Sequence, residues 1–342
     1  MNATIGSIIL TGCGLLGSGA NLHAASTPSS ALLILSKTDQ TLSIVDPATL
    51  NVIARMPSGP DPHEVVASAD GKFAYVSNYG GGAYNTLNVV DLVNQKTLAP
   101  IDLGALRAPH GLMYAGGKVW FTAEAAKAIG SYDPATQKID WILGTGQNRT
   151  HMIHVSDDLS WMVTSNVSSA TMTFIDKTSG PPGGPGPGSS PRVDWNETIV
   201  AVGRGAEGFD VSPNGKELWA ANAQDGTISI IDLATRKVTA TLAANVPSAN
   251  RLKFTPDGKL VFVSTLRGSD LVILDAATRR EAKRVKIGRG AAGIQMQPDN
   301  TRAFVACTPD NQVTIIDLKS LAVIGHIDAG QQPDGMAWAV RR

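Results

Sequence analysis

Seven segments of this 342-residue chain share one pattern: an apolar run ends in aspartate, a short polar turn follows, and a second run begins. They include "LSIVDPATLNVIARM", "LNVVDLVNQKTLAPI", "ISIIDLATRKVTATL" and "VTIIDLKSLAVIGHI", and their aspartates are Asp46, Asp91, Asp133, Asp176, Asp232, Asp275 and Asp317. Successive spacings are 45, 42, 43, 56, 43 and 42 residues, so one interval carries an insertion. Between them recurs a strand–turn–strand unit such as "FDVSPNGKELWAAN" or "LKFTPDGKLVFVST". Its Pro-Asp-Gly or Pro-Asn-Gly suits a tight turn, because Pro presets φ and Gly or Asn accepts a positive φ. Four short strands per repeat of this length predict an all-β, seven-bladed β-propeller with four antiparallel strands per blade. The chain starts mid-blade at "ALLILS" and ends on an orphan strand, "PDGMAWAV". The C-terminal strand is therefore expected to complete the first blade, which removes the open sheet edges.

The resemblance carried by these repeats is specific. "YVSN" at 75–78, with looser versions "WAAN" at 219–222 and "FVST" at 262–265, is similar to the Tyr-Val-Thr-Asn signature of the YVTN-repeat propellers. The resemblance covers about residues 31–340 and extends to the wider group of cytochrome d1-like and lactonase-like propellers. It implies the fold; propellers host many chemistries, so it does not imply one activity.

Residues 1–30 differ from the rest. "IGSIILTGCGLLGSGANLHAAS" is apolar, small and uncharged, as in an export leader, although the first basic residue is Lys37. "LTGC" resembles a lipoprotein box, which would make Cys13 a lipid anchor; cleavage near Ala24–Ala25 is the other reading. Periplasmic or extracellular location is the expectation. The domain plan is a leader over 1–30 and a propeller over 31–342, with a Pro/Gly-rich, flexible insertion at 179–191 inside the fourth blade. No later segment is long and apolar enough for a membrane span. Lys+Arg and Asp+Glu balance at 29 each, which offers nothing to nucleic acid. With two cysteines, Cys13 and Cys307, neither a disulfide framework nor a haem-attachment motif is available.

Function has to come from the repeat itself. Aligning the seven innermost strands brings His63, His110, His151, Glu207, Asn250, Ala292 and Asp334 to one position, the entry of each strand into the central channel. Six polar or ionisable side chains from distant parts of the chain are thus expected at one mouth. Imidazoles with a nearby carboxylate suit one divalent transition metal ion, held by His63, His110, His151 and Glu207. Glu207 has two readings, fourth ligand or general base. The blander alternative is that the histidines are inherited from one ancestral blade and only bind loop carbonyls or water. Arg107, Arg149 and Arg204 precede the same position, and guanidinium groups there suit carboxylate or phosphate; ordinary solubility and local ion pairs are the favoured reading of them. Tyr79, in the long loop "NYGGGAYN", is placed to cover a ligand near His63, and Asn250 and Asp334 are further ligand-contact candidates. His154 is three residues beyond His151, so it should face away, towards a between-blade hydrogen bond. The blade aspartates read as turn residues that accept backbone N–H bonds.

The leading expectation is an exported propeller with a ligand or metal site at the histidine mouth, suited to metal-assisted hydrolysis or elimination on a small molecule. Two others stand beside it. One is a non-catalytic scaffold for a protein or cell-surface partner. The other is a redox accessory protein like the haem d1-binding propellers.

Overall fold

The computed structural model describes residues 26–182 and 191–341, so the leader-like segment and Cys13 lie outside the described residues. Seven antiparallel sheets form the blades. Their inner strands are Pro333–Val340, Pro62–Ala67, Pro109–Ala115, Thr150–Val155, Ala206–Val211, Ala249–Phe254 and Ala291–Met296, for blades 1 to 7 in that order. Each packs beside the next, and the seventh packs beside the first, which closes the ring. Closure is as expected: Pro333–Val340 pairs with Ser30–Ser36, setting Leu32 opposite Trp338 and Ile34 opposite Met336. Among the described residues, no helix is long and apolar enough to cross a membrane.

Burial follows position in the blade. The second strands, such as Phe73–Asn78 and Leu260–Thr265, are covered on both faces by neighbouring blades and read as nearly continuous apolar runs. The fourth strands face solvent; Lys138–Gly144 alternates exposed and half-buried residues along its length. The blade aspartates hold turns, as with Asp46 Oδ1 accepting from the Ala48 N–H at 2.8 Å and Asp275 Oδ1 from the Thr278 N–H at 2.7 Å. Cys307 is fully buried.

Blade 4 refines the sequence reading of 179–191. Its third and fourth strands, Thr171–Pro182 and Pro191–Ala201, stay paired beyond the blade as a two-stranded ribbon, with Ser179 opposite Val193 and Pro182 opposite Pro191. Both flanks of the expected loop are therefore ladder, and residues 183–190 lie outside the described residues. Trp195 ties the ribbon to blade 3 by packing 5.3 Å from Trp141.

The detail that matters for function is at the start of each inner strand. The preceding residue has a left-handed φ in all seven blades: Asp61 45°, Ala108 61°, Arg149 59°, Gly205 77°, Ser248 56°, Gly290 57° and Gln332 55°. Each inner strand then gains one residue against its neighbour, a β-bulge. A bulge re-aims side chains and raises local twist. Here it turns the second residue of the strand toward the channel mouth.

A hydroxyl at the Thr position of the YVTN-like signature clamps the bulge. Ser77 Oγ accepts from the Glu64 N–H at 3.1 Å and donates to the His110 carbonyl at 2.9 Å. Thr122 Oγ1 does the same between Gly111 N–H (2.9 Å) and His151 carbonyl (2.7 Å). Each clamp therefore fixes its own bulge and the functional residue of the next blade. Gly111 is required for this approach, since a Cβ there would stand 2.5 Å from the His151 carbonyl oxygen.

Candidate functional site

The second residue of each inner strand is His63, His110, His151, Glu207, Asn250, Ala292 or Asp334, the set that the repeat alignment collects. The three histidines sit on adjacent blades and their rings touch in series. His63 and His110 have centroids 5.1 Å apart, and His110 and His151 3.8 Å. His110 and His151 are almost wholly buried; His63 is more accessible. His63 Nδ1 lies 3.1 Å from the Asp61 carbonyl.

One residue outside the sequence-derived set joins them. Glu124 Oε1 hydrogen-bonds His151 Nδ1, and Glu124 Oε2 accepts from the Tyr79 hydroxyl at 2.7 Å. Ligand atoms of His110, Glu124 and His151 all lie within 4.8 Å of one another, close enough to hold one metal ion. His151 Nε2 faces Glu207 Oε1 at 3.6 Å. Arg149 bridges the two carboxylates, 3.5 Å from Glu124 Oε2 and 3.5 Å from Glu207 Oε1. Glu124 had a sequence signal. It is the residue directly after the signature tetrad of blade 3, the position that Tyr79 takes in blade 2 and Lys37 in blade 1. These residues form a second ring above the first: Lys37 reaches Asp334 (2.5 Å), Tyr79 reaches Glu124, and Glu124 reaches His151.

The other half of the mouth is built differently. Arg251 spans from blade 6 to pair with Glu64 of blade 2, and its Nη1 donates to Asn250 Oδ1 at 3.4 Å. This pair closes the channel just beneath the mouth, above a cavity of about 440 Å³ lined by Met152, His154, Met336 and Trp338 among others. Four carboxylates thus converge at the mouth (Glu64, Glu124, Glu207, Asp334) against three cationic side chains (Lys37, Arg149, Arg251). With neutral imidazoles the balance is negative, which favours a cation.

The remaining candidates lie at the rim. Arg107 is exposed and only reaches the Gly82 carbonyl, at 3.4 Å. Arg204 is largely exposed and paired with Asp225 at 2.8 Å. Arg149 alone among the three touches the histidine cluster. Tyr79 covers the mouth, with its ring 4.9 Å from His63 and 5.3 Å from His110. Beside Arg149 and Glu207 a cavity of about 730 Å³ opens on the same face, lined also by Gln224, Pro247 and Arg267. His154 faces away from the cluster, as its spacing requires; it packs 5.3 Å from Trp161 rather than making the expected between-blade hydrogen bond.

The titration behaviour follows from this packing. Burial pushes the His110 imidazole well below its ordinary value, and the neighbouring His151 and His63 add to this. His63 is also lowered, by burial and then Lys37, against the opposing pull of Asp334 and Asp61. Burial alone would raise the Glu124 carboxyl. The hydrogen bond and charge of His151, with Tyr79 and Arg149, outweigh it and hold Glu124 below the usual range. Burial, and then the bond to Glu124, push the Tyr79 phenol up to about 12. Lowered imidazoles at His63 and His110 near an ionised Glu124 suit the protonation states that a metal ligand set requires.

Three atoms of this cluster are buried with no hydrogen-bond partner: His110 Nδ1, His151 Nε2 and Glu207 Oε2. Leaving a buried polar atom unsatisfied costs about 1–3 kcal/mol. Three such atoms on the neighbouring residues His110, His151 and Glu207 mark a region where something polar belongs.

The family model for the cytochrome D1 heme domain matches residues 89–295. No curated protein matches the sequence. Among solved structures, the chain is similar to a functionally unknown protein from Desulfotomaculum acetoxidans, with 12% identity and a TM-score of 0.73 over 91% of this chain and 99% of that one. A putative 6-phosphogluconolactonase from Bacteroides fragilis gives 15% identity and a TM-score of 0.72 over 92% and 99%. Dihydro-heme d1 dehydrogenase gives 16% and 0.63 over 92% and 76%. At these identities the likeness is one of fold.

Proposed function

The chain belongs to the cytochrome D1 heme domain family, and within that fold we propose that it works through one divalent transition-metal ion at the histidine mouth rather than through a tetrapyrrole. The residues present do not fit a haem. An axial imidazole needs open space on one side for the macrocycle to approach. Here His110 and His151 are buried against each other, and the Tyr79 ring lies over both His63 and His110 with its hydroxyl held by Glu124. No step is therefore assigned to a haem.

The observation that carries the metal reading is the grouping of His110, Glu124 and His151, whose ligand atoms lie within 4.8 Å of one another, beside buried atoms of His110, His151 and Glu207 that lack a hydrogen-bond partner. Glu124, bonded to His151 Nδ1, orients that ring so that Nε2 is the atom presented, the arrangement usual behind a metal-bound histidine. Glu124 also lies close enough to ligate, and His63 stands next in the row. A metal ion there would polarise a substrate oxygen or lower the pKa of a bound water. Glu207, 3.6 Å from His151 Nε2, would serve as a further ligand or as base, and Arg149 would offer a guanidinium to an anionic group. The adjoining cavity has the size of a small-molecule site. The reaction class suited to these groups is metal-assisted hydrolysis or elimination on a small anionic substrate. The leader-like segment supports export to the periplasm or beyond.

Metal analysis of the purified protein, before and after chelation, tests this. The reading expects about one transition ion per chain, regained on titration with Zn²⁺ or Co²⁺ and lost in His110→Ala and His151→Ala. If the folded wild-type protein takes up neither ion at the mouth, the metal reading fails and a binding scaffold becomes the better account.

A further inference from the structure

Blade 2 departs from its six neighbours at the outer edge. Its fourth strand is split into Lys96–Thr97 and Ile101–Asp102, and residues 98–100 belong to neither piece. The other fourth strands are unbroken over six residues or more. The break opens a cleft of about 1010 Å³ between blades 2 and 3. It is built from the strand 1–2 and strand 3–4 turns, on the side away from the histidine mouth.

Three of the chain's five tyrosines line that cleft: Tyr75, Tyr114 and Tyr132. Tyr75 and Tyr114 are stacked, 6.2 Å between centroids and 24° between planes. Tyr75 is the buried member, while Tyr114 and Tyr132 are partly open. Among the described residues, neither the Tyr75 nor the Tyr132 hydroxyl has a hydrogen-bond partner. The rim carries Asp102, Gln137 and Lys138. Gln137 and Lys138 are exposed.

We propose that this cleft is a carbohydrate-binding site for a β-linked, gluco-configured oligosaccharide. Such sugars carry every ring substituent equatorially, so both faces of the pyranose present axial C–H groups. Those faces match flat phenol rings, which offer a large apolar surface with a polar tip. The equatorial hydroxyls project sideways, toward the Asp102 carboxylate, the Gln137 amide and the Lys138 amine. The volume is at the upper end for a small ligand, which suits a short chain rather than one sugar. A peptide added as a strand fits less well. The Leu98 N–H already takes the Val89 carbonyl at 2.8 Å, and Pro100 has no N–H to offer.

The test is isothermal titration of the full chain with cellotetraose and with chitotetraose, and β-1,4-galactotetraose as the comparison with an axial hydroxyl. At least one gluco-configured probe should bind, and more tightly than the galactose chain. Tyr114→Ala and Tyr132→Ala should each weaken it about 3- to 10-fold, the range of one aromatic contact. Because those changes touch packed residues, the exposed pair Gln137→Ala and Lys138→Ala provides a second arm that leaves the core alone and should also weaken binding. His110→Ala should not alter it. The proposal is overturned if neither gluco-configured probe binds, if the galactose chain binds as well, or if folded cleft variants bind like wild type.

Discussion

Glu124 and His151 meet across the boundary between blades 3 and 4, with the carboxylate Oε1 bonded to the imidazole Nδ1. They come from different parts of the repeat: His151 is the second residue of an inner strand, and Glu124 is the residue after a second strand. The bond fixes which nitrogen of His151 is free, and that nitrogen, Nε2, points at Glu207 3.6 Å away. The site therefore depends on a pairing that neither blade supplies alone.

Glu124→Gln is the direct test of that pairing. It keeps the shape of the side chain and removes the charge. Changing a residue that orients a metal-bound histidine lowers metal affinity by about 10- to 100-fold. The expected result is a loss of that size for Zn²⁺ in competition titrations, with an unchanged far-ultraviolet dichroism spectrum. Unaltered affinity would remove Glu124 from the site.

Thr122→Val probes the clamp beneath the site. The hydroxyl accepts from the Gly111 N–H and donates to the His151 carbonyl, all in the interior. Valine preserves the volume and leaves both backbone groups without a partner. The cost should be about 1–3 kcal/mol for each buried group left unsatisfied, read by urea unfolding. Metal affinity should fall as well, because the clamp sets the height of His151. Blade 5 lacks this device, with Ala221 in the corresponding position, so Ala221→Gly should leave metal affinity unchanged. A Thr122 variant as stable as wild type would show that the bulges hold without the hydroxyls.

Almost all of the fold was legible in the sequence, because a propeller repeats its instructions. The aspartate spacing predicted the number of blades, and the incomplete ends, "ALLILS" and "PDGMAWAV", predicted the closure. The ring of second residues was legible for the same reason. Glu124 was harder to read, because the residue after the signature tetrad varies among Lys37, Tyr79, Glu124, Val167, Ala223, Leu266 and Thr308 and so shows no repeat pattern. Pairings across blades were also hidden. Nothing in the residues near Arg251 says that it crosses the channel to Glu64. The bulges leave no composition signal, since residues as different as Asp61, Ala108 and Gln332 hold the same left-handed φ.

Removing residues 333–342 should destroy the ring rather than trim it. Blade 1 would lose its inner strand, leaving the Ser30–Ser36 edge open, and Leu32 and Ile34 would lose cover from Trp338 and Met336. An open, apolar strand edge is an aggregation template. The truncated chain should fail to give one cooperative thermal transition and should run as soluble aggregate on size exclusion. A monomer with a single transition near that of wild type would mean that the other six blades hold without closure.

The last expectation concerns acid, and it can be read without any metal. His154 is partly buried against Trp161, and burial lowers its pKa; Asp210 and Asp157 pull it up, and Lys253 pushes it down. The unfolded chain takes up a proton at about pH 6.5, the ordinary value for an exposed histidine. The folded chain takes it up only at lower pH. Between those two values the unfolded state binds more protons, so stability falls as pH falls. It is fully present above about 6.5 and is lost through the window beneath it, by at most about 1.4 kcal/mol per pH unit for each such histidine. Glu124 and the turn aspartates have the opposite origin, lowered carboxyl groups, and they matter only below about pH 4.5, so the two windows separate. Urea unfolding of chelator-treated protein at pH 7.5, 6.5 and 5.5 should show stability declining across the series. His154→Phe should make that decline shallower by the share of one histidine, leaving the part due to His63 and His110, because its ring keeps the packing on Trp161 and takes up no proton. If the slope is the same in the variant, His154 is titrating normally and its burial is not costly in acid.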